Sequence, residues 1–136
     1  MKIDIKTVTG FFAGALFLAL LPSAANAQAM SPMRGEVKSF SDTFAVKVYP
    51  ANPYTHRIRI EVKVYDQDFR PVNARVSPAS FTLGGRFARP VTVMVPFEGQ
   101  DTRKVRICTE SIPFPGRSST QIKAQVCGKF LGKRLQ

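Results

Sequence analysis

Apolar and polar residues alternate with period two over most of the chain beyond residue 35. Ile58, Ile60, Val62 and Val64 fall on one side of an extended backbone, and Arg57, Arg59, Glu61, Lys63 and Tyr65 fall on the other. A helix would scatter these apolar residues around its circumference, so the run predicts a strand. Glu36-Val37-Lys38-Ser39-Phe40 is a shorter candidate. Phe44, Val46 and Val48 alternate with Ala45, Lys47 and Tyr49 before Pro50-Ala51-Asn52-Pro53 turns the chain. Asp66-Gln67-Asp68 with Pro71 marks the next turn. Val72, Ala74 and Val76 form a looser strand ending at Ser77-Pro78, and Phe81-Thr82-Leu83 precedes Gly84-Gly85. Val91, Val93 and Val95 alternate until Pro96, and Glu98-Gly99-Gln100-Asp101 turns into the next run. Seven short strands, spaced by roughly 8–12 residues and joined by Pro, Gly and Asp turns, predict an all-β, immunoglobulin-like sandwich. No internal repeat or low-complexity tract interrupts the pattern.

The last two strand-like runs carry the only cysteines. Arg103-Lys104-Val105-Arg106-Ile107-Cys108 and Thr120 to Phe130, with Cys127, both place the cysteine in the polar series. Paired antiparallel, the two strands bring both sulfurs to one face, within disulfide reach. Zinc would need further ligands, and His56 is the only histidine. A redox motif wants the cysteines two residues apart. A structural disulfide is the expected outcome. Ile112-Pro113-Phe114-Pro115-Gly116 cannot continue a central strand, because proline donates no ladder hydrogen bond.

The first 27 residues read as an export leader. Lys2 and Lys6 begin it, Phe11 to Leu21 is an apolar run, Pro22 breaks the run, and Ala25-Asn26-Ala27 is a small-x-small cleavage site. The run falls well short of the roughly 20 residues that span a bilayer. Cleavage leaves residues 28–136, starting at Gln28, which is one domain's length. No cysteine follows the cleavage site, so a lipid anchor is not expected, and no second apolar stretch predicts a membrane span. The expected location is the periplasm, with secretion as the other outcome, and an oxidising compartment suits the disulfide.

Charge adds a surface. The chain has 20 basic and 9 acidic residues; two lysines and one aspartate lie in the leader, leaving 18 and 8, a net +10. If the runs of Ile58, Cys108 and Cys127 are the third, sixth and seventh strands, they share a sheet in this fold. Parity then puts Arg57, Arg59, Lys63, Lys104, Arg106, Lys123 and Lys129 on one solvent face. Such a face suits an anionic envelope component or an acidic partner, or it simply solvates the strands. Export removes the protein from nucleic acid. Catalytic chemistry finds no setting: Asp66 and Asp68 sit in a turn, no serine has a Gly-x-Ser-x-Gly context, and Gly84-Gly85 is a turn. No enzyme, metal or cofactor is expected.

Several segments carry a family resemblance. Val76-Ser77-Pro78 through Leu83-Gly84-Gly85, then Arg89 to Val95, resemble strands of the amino-terminal domain of PapD-like periplasmic pilus chaperones. There a proline-led strand reaches a glycine turn and then an arginine-plus-valine strand. Glu110-Ser111-Ile112-Pro113-Phe114-Pro115 resembles the family's isoleucine-proline-proline-like segment. Gln121-Ile122-Lys123-Ala124 to Gly128-Lys129-Phe130-Leu131 is similar to the last strand and its lysine motif. Some members tie the last two strands with a disulfide, as Cys108 and Cys127 would here.

The resemblance implies a chaperone that caps an immature pilin-like subunit by donating its last strand, a form of β-augmentation. It places Ile122, Ala124 and Val126 at the donor positions, whose other reading is ordinary core packing of an edge strand. It gives Lys129 the role of holding the subunit's terminal carboxylate, with Arg34 as the partner arginine and Lys38 as a competitor for that place. The family has two domains, and Ala124 and Gly128 stand where larger apolar residues would grip better. A one-domain relative works as a homodimer or with a separate partner, or has lost subunit capping.

Overall fold

The computed structural model of the protein describes residues 29–112 and 123–136. The leader, the proline-rich segment from Pro113 and the expected donor residue Ile122 lie outside them. Among the described residues nine strands form: β1 (Ala29–Ser31), β2 (Arg34–Ser39), β3 (Thr43–Ala51), β4 (Ile58–Tyr65), β5 (Arg75–Ser77), β6 (Ser80–Leu83), β7 (Val91–Pro96), β8 (Thr102–Ile112) and β9 (Ala124–Arg134). They build two sheets, ordered β1-β3-β7-β5 and β2-β9-β8-β4-β6. The strands of Ile58, Cys108 and Cys127 share the five-stranded sheet, as their places in an immunoglobulin-like strand order predict.

The alternation in the sequence becomes the inside and outside of this sandwich. Phe44, Val46 and Val48 of β3 and Val91, Val93 and Val95 of β7 face Ile58, Ile60, Val62 and Val64 of β4 with Val105 and Ile107 of β8. Phe81, Leu83, Phe97 and Phe130 fill the rest, and all of these are buried. Phe44 and Phe97 meet with ring centroids 5.0 Å apart.

Nine segments replace the seven expected because a short strand, β1, precedes the first expected run, and the chain changes sheet between β1 and β2 and again between β5 and β6. β1 pairs with β3 in the smaller sheet and β2 with β9 in the larger, with Pro32 between them. β5 pairs with β7 and β6 with β4, with Pro78 between them. Each proline lacks an N–H to continue its ladder, so the break falls there.

Other bounds differ for local reasons. β3 runs through Pro50 and Ala51, where the sequence predicts a turn; Pro50 pairs with Met30 and its carbonyl accepts the Arg89 amide at 3.1 Å. The turn begins at Asn52, a buried side chain whose Nδ2 lies 2.7 to 3.1 Å from the carbonyls of His56, Leu83 and Gly84. β8 continues past Cys108 to Ile112 because Thr109 and Ser111 occupy buried inward positions that a hydrophobic pattern does not register.

At Gly132, β9 lies directly against Phe44 of the opposite sheet. A Cβ there would sit 2.8 Å from Phe44 Cγ and closer still to the ring edge. Gly132→Ala should therefore destabilise the fold by about 1–3 kcal/mol through overpacking, read as a lowered urea midpoint with unchanged slope. An unchanged midpoint would show that Phe44 has room to move.

Candidate partner-binding edge and its cationic rung

The site is built on β9. Ten residue pairs, from Thr102↔Lys133 to Ser111↔Ala124, join it antiparallel to β8. On its other side β2 covers only part of it, pairing in parallel from Arg34↔Lys129 to Ser39↔Arg134. No described strand lies beside Ala124–Cys127, so among the described residues this half of β9 is a sheet edge. The Lys129 amide donates to the Met33 carbonyl at 2.9 Å, so its N–H points away from β8. By alternation, the N–H and C=O groups of Cys127 and Gln125 point the same way, into the open edge.

Cys108 and Cys127 face each other across the ladder and form the disulfide, with Cα atoms 4.0 Å apart and a sequence separation of 19. The separation is near the ~4.5 Å of non-hydrogen-bonded antiparallel pairs. Both cysteines belong to the outward series, as their place among polar residues predicts. The crosslink therefore clamps the open half of β9 to β8.

Of the expected donor residues, Ala124 and Val126 are half-buried and inward-facing, and Val126 packs against the core. Gly128 continues this row but is closed: a Cβ there would lie 3.0 Å from the Met33 carbonyl and 2.8 Å from the Phe130 ring. The row available to a partner thus ends at Val126, and a larger residue at 128 has no space.

Arg34 and Lys129 are register partners on β2 and β9, and Lys129 is also the partner of Arg106 on β8. The two residues expected to share one role are side by side, and Lys38 stands four residues further along β2, opposite Lys133. Arg34, Lys104, Arg106 and Lys129 line an open groove of about 740 Å³.

The wider basic face is divided. Arg57 precedes β4 and Lys123 precedes β9, both exposed and outside the ladders. Arg59 donates to Ser80 Oγ at 2.9 Å. Between this end and the groove sits Glu110, whose Oε2 is 2.8 Å from Lys63 Nζ and whose Oε1 accepts from Tyr65 and Gln125, each at 3.1 Å. Glu61 lies 3.5 Å from the same lysine. Two basic patches flank an acidic centre, where parity alone predicts one continuous face.

Comparison with solved structures identifies the architecture. The Escherichia coli chaperone DraB superposes with a TM-score of 0.64 at 18% identity, covering 79% of this chain and 55% of that one. The Salmonella enterica chaperone SafB, in complex with the pilin SafA, gives 0.65 at 14% identity, with 79% and 54% covered. The periplasmic chaperone SfaE gives 0.65 at 13%, with 81% and 59% covered. The fold is PapD-like. No protein-family model and no curated protein matches the sequence. The chain spans little more than half the length of these chaperones.

Within this PapD-like sandwich, the Glu110 cluster is the feature that the hydrophobic pattern does not reveal. Glu110 reads as an outward position of β8 only if alternation is carried through Thr109 and Ser111. The hydrogen bond from Lys63 holds its carboxyl below the usual glutamate range, and that from Tyr65 adds to this against the cost of burial. Lys63 is raised in turn, first by the same bond. Burial, then the bond to Glu110, raises the Tyr65 phenol.

A depressed folded-state value means that Glu110 contributes stability above its unfolded pKa of about 4.3, and loses it as pH falls through the folded value. Glu110→Gln should thus be less stable than wild type at pH 7, with the gap closing as pH falls below about 4. Denaturation midpoints across pH 7 to 3 measure this, and a gap independent of pH would contradict it.

Proposed function

We propose that this chain is a non-catalytic, periplasmic PapD-like chaperone or assembly accessory that binds an exported, pilin-like subunit by strand donation from β9. The observation that carries the reading is the one-sided stretch Ala124–Cys127, an edge with outward-pointing backbone groups, braced on its inner side by the disulfide. An exposed edge is a liability that proteins usually cover or interrupt. Bracing it while leaving it open suits a strand meant to be paired by another chain.

Three further points support it. Ala124 and Val126 present a small apolar row beside the edge. Arg34 and Lys129 stand together where the edge ends, suited to a partner's terminal carboxylate. SafB is a chaperone bound to a pilin, SfaE is a periplasmic chaperone, and residues 1–27 read as an export leader. The alternative of an anionic envelope ligand spread over the whole basic face is less well supported, because Glu61 and Glu110 divide that face.

Amide exchange tests strand donation directly. In the free chain the Gln125 and Cys127 amides should exchange readily, and a co-purified exported subunit should protect both. Lys129→Ala should weaken that complex about tenfold or more, the scale of a lost charge-assisted bond. A tight complex that leaves both amides unprotected would refute strand pairing, and unchanged affinity in the variant would remove the carboxylate anchor.

A further inference from the structure

The cations of the five-stranded sheet's outer face are not treated alike. Lys63 has Glu110 at 2.8 Å, and Lys133 has Glu36 at 3.0 Å. At the rung Arg34–Lys129–Arg106, three cations occupy adjacent strands, about 4.8 Å apart, and among the described residues no carboxylate pairs with any of them. Like charges directly opposite each other across strands are destabilising. Lys104, two residues before Arg106 on the same face, adds a fourth charge to the groove. Glu36, the one described carboxylate that lines the groove, is engaged by Lys133, so the four cations outnumber it there.

Arg106 is also held in place. Its guanidinium lies 4.5 Å from the centroid of the Phe69 ring, and its Nε donates to the Gln67 carbonyl at 3.4 Å. Phe69 is presented by a tight turn: its φ is 59°, and Asp66 Oδ1 accepts the amides of Asp68 and Arg70 at 2.8 and 2.9 Å. The turn that ends β4 thus orients an arginine on β8 and leaves its terminal nitrogens unengaged by described residues.

On the strand-donation reading above, Arg34 and Lys129 take one carboxylate, and Arg106 and Lys104 remain. We infer that the partner's chain end is dianionic, its terminal carboxylate held by Arg34 and Lys129 and an acidic side chain at or beside the last residue held by Arg106 and Lys104. A strand lying parallel to β9 along Ala124–Cys127 delivers its carboxyl end at Lys129. One strand further along the same rung stands Arg106, at a spacing from Lys129 comparable to that of the two carboxyl groups of a terminal aspartate or glutamate. Arginine's planar fork suits the second carboxylate.

The test titrates the full mature chain with labelled nine-residue peptides of alternating valine and serine. These end in aspartate with a free carboxylate, in asparagine with a free carboxylate, or in aspartate amide. The aspartate acid should bind about tenfold tighter than the asparagine acid. Arg106→Gln should erase that difference while keeping the preference for a free terminus. Equal binding of the two acids by wild type, with the free terminus still preferred, overturns the inference and leaves strand donation standing. Failure of every peptide to bind removes both. Binding to phosphatidylglycerol vesicles that exceeds peptide binding and is lost in Arg106→Gln assigns the cations to an envelope anion and also overturns it.

Discussion

The register between β8 and β9 is the constraint on which the rest depends. Side chains alternate strictly along a strand, so a slip of one residue would send every outward group inward. This one register places Cys108 opposite Cys127, Arg106 opposite Lys129 and Arg103 opposite Gly132. It also keeps Val105 and Phe130 in the core while their neighbours meet solvent. The disulfide removes any alternative register, and Arg103, at the far end of β8, ties that strand to the opposite sheet by donating to the Pro96 carbonyl and lying 3.3 Å from Glu98.

Much of the sandwich is legible in the amino-acid sequence, for specific reasons. Ile58 to Tyr65 and Val91 to Val95 declare themselves because half their positions are apolar and half are not. The cysteines fall in the polar series, which is enough to predict a crosslink on the outer face. What cannot be read depends on neighbours distant in sequence. The parallel pairing of β2 with β9, which brings Arg34 to Lys129, leaves no local signal and is implied only by the family resemblance. Thr109 and Ser111 hide the second half of β8 because polar residues fill buried places, and Thr109 Oγ1 lies 3.5 Å from the Val126 carbonyl. With that half hidden, Glu110 gives no sign of its role, and the basic face reads as continuous.

Electrostatics divides the five-stranded sheet into regions with different roles. Around Glu110, charges are matched within hydrogen-bonding distance and partly buried, an arrangement that locks β4, β8 and β9 together. Around Lys129 no described carboxylate pairs with Arg34, Lys129 or Arg106. Paired charges serve the fold itself, whereas unpaired ones of like sign oppose it and are stabilised by what arrives from outside. The open backbone edge and the unmatched cations are continuous along β9, so both unmet demands are presented along the same few residues.

The placement of the crosslink has a mechanical meaning. A load that drew β9 away from β8 at its Ala124 end would open the ladder one rung at a time: Ser111 from Ala124, Glu110 from Gln125, then Thr109 from Val126. The next rung is Cys108 and Cys127, where peeling meets a covalent bond. Tension applied to the exposed half of the strand therefore passes into β8 and the centre of the sheet. A chain attached to that edge is held by a lever that can fray by three rungs and no more.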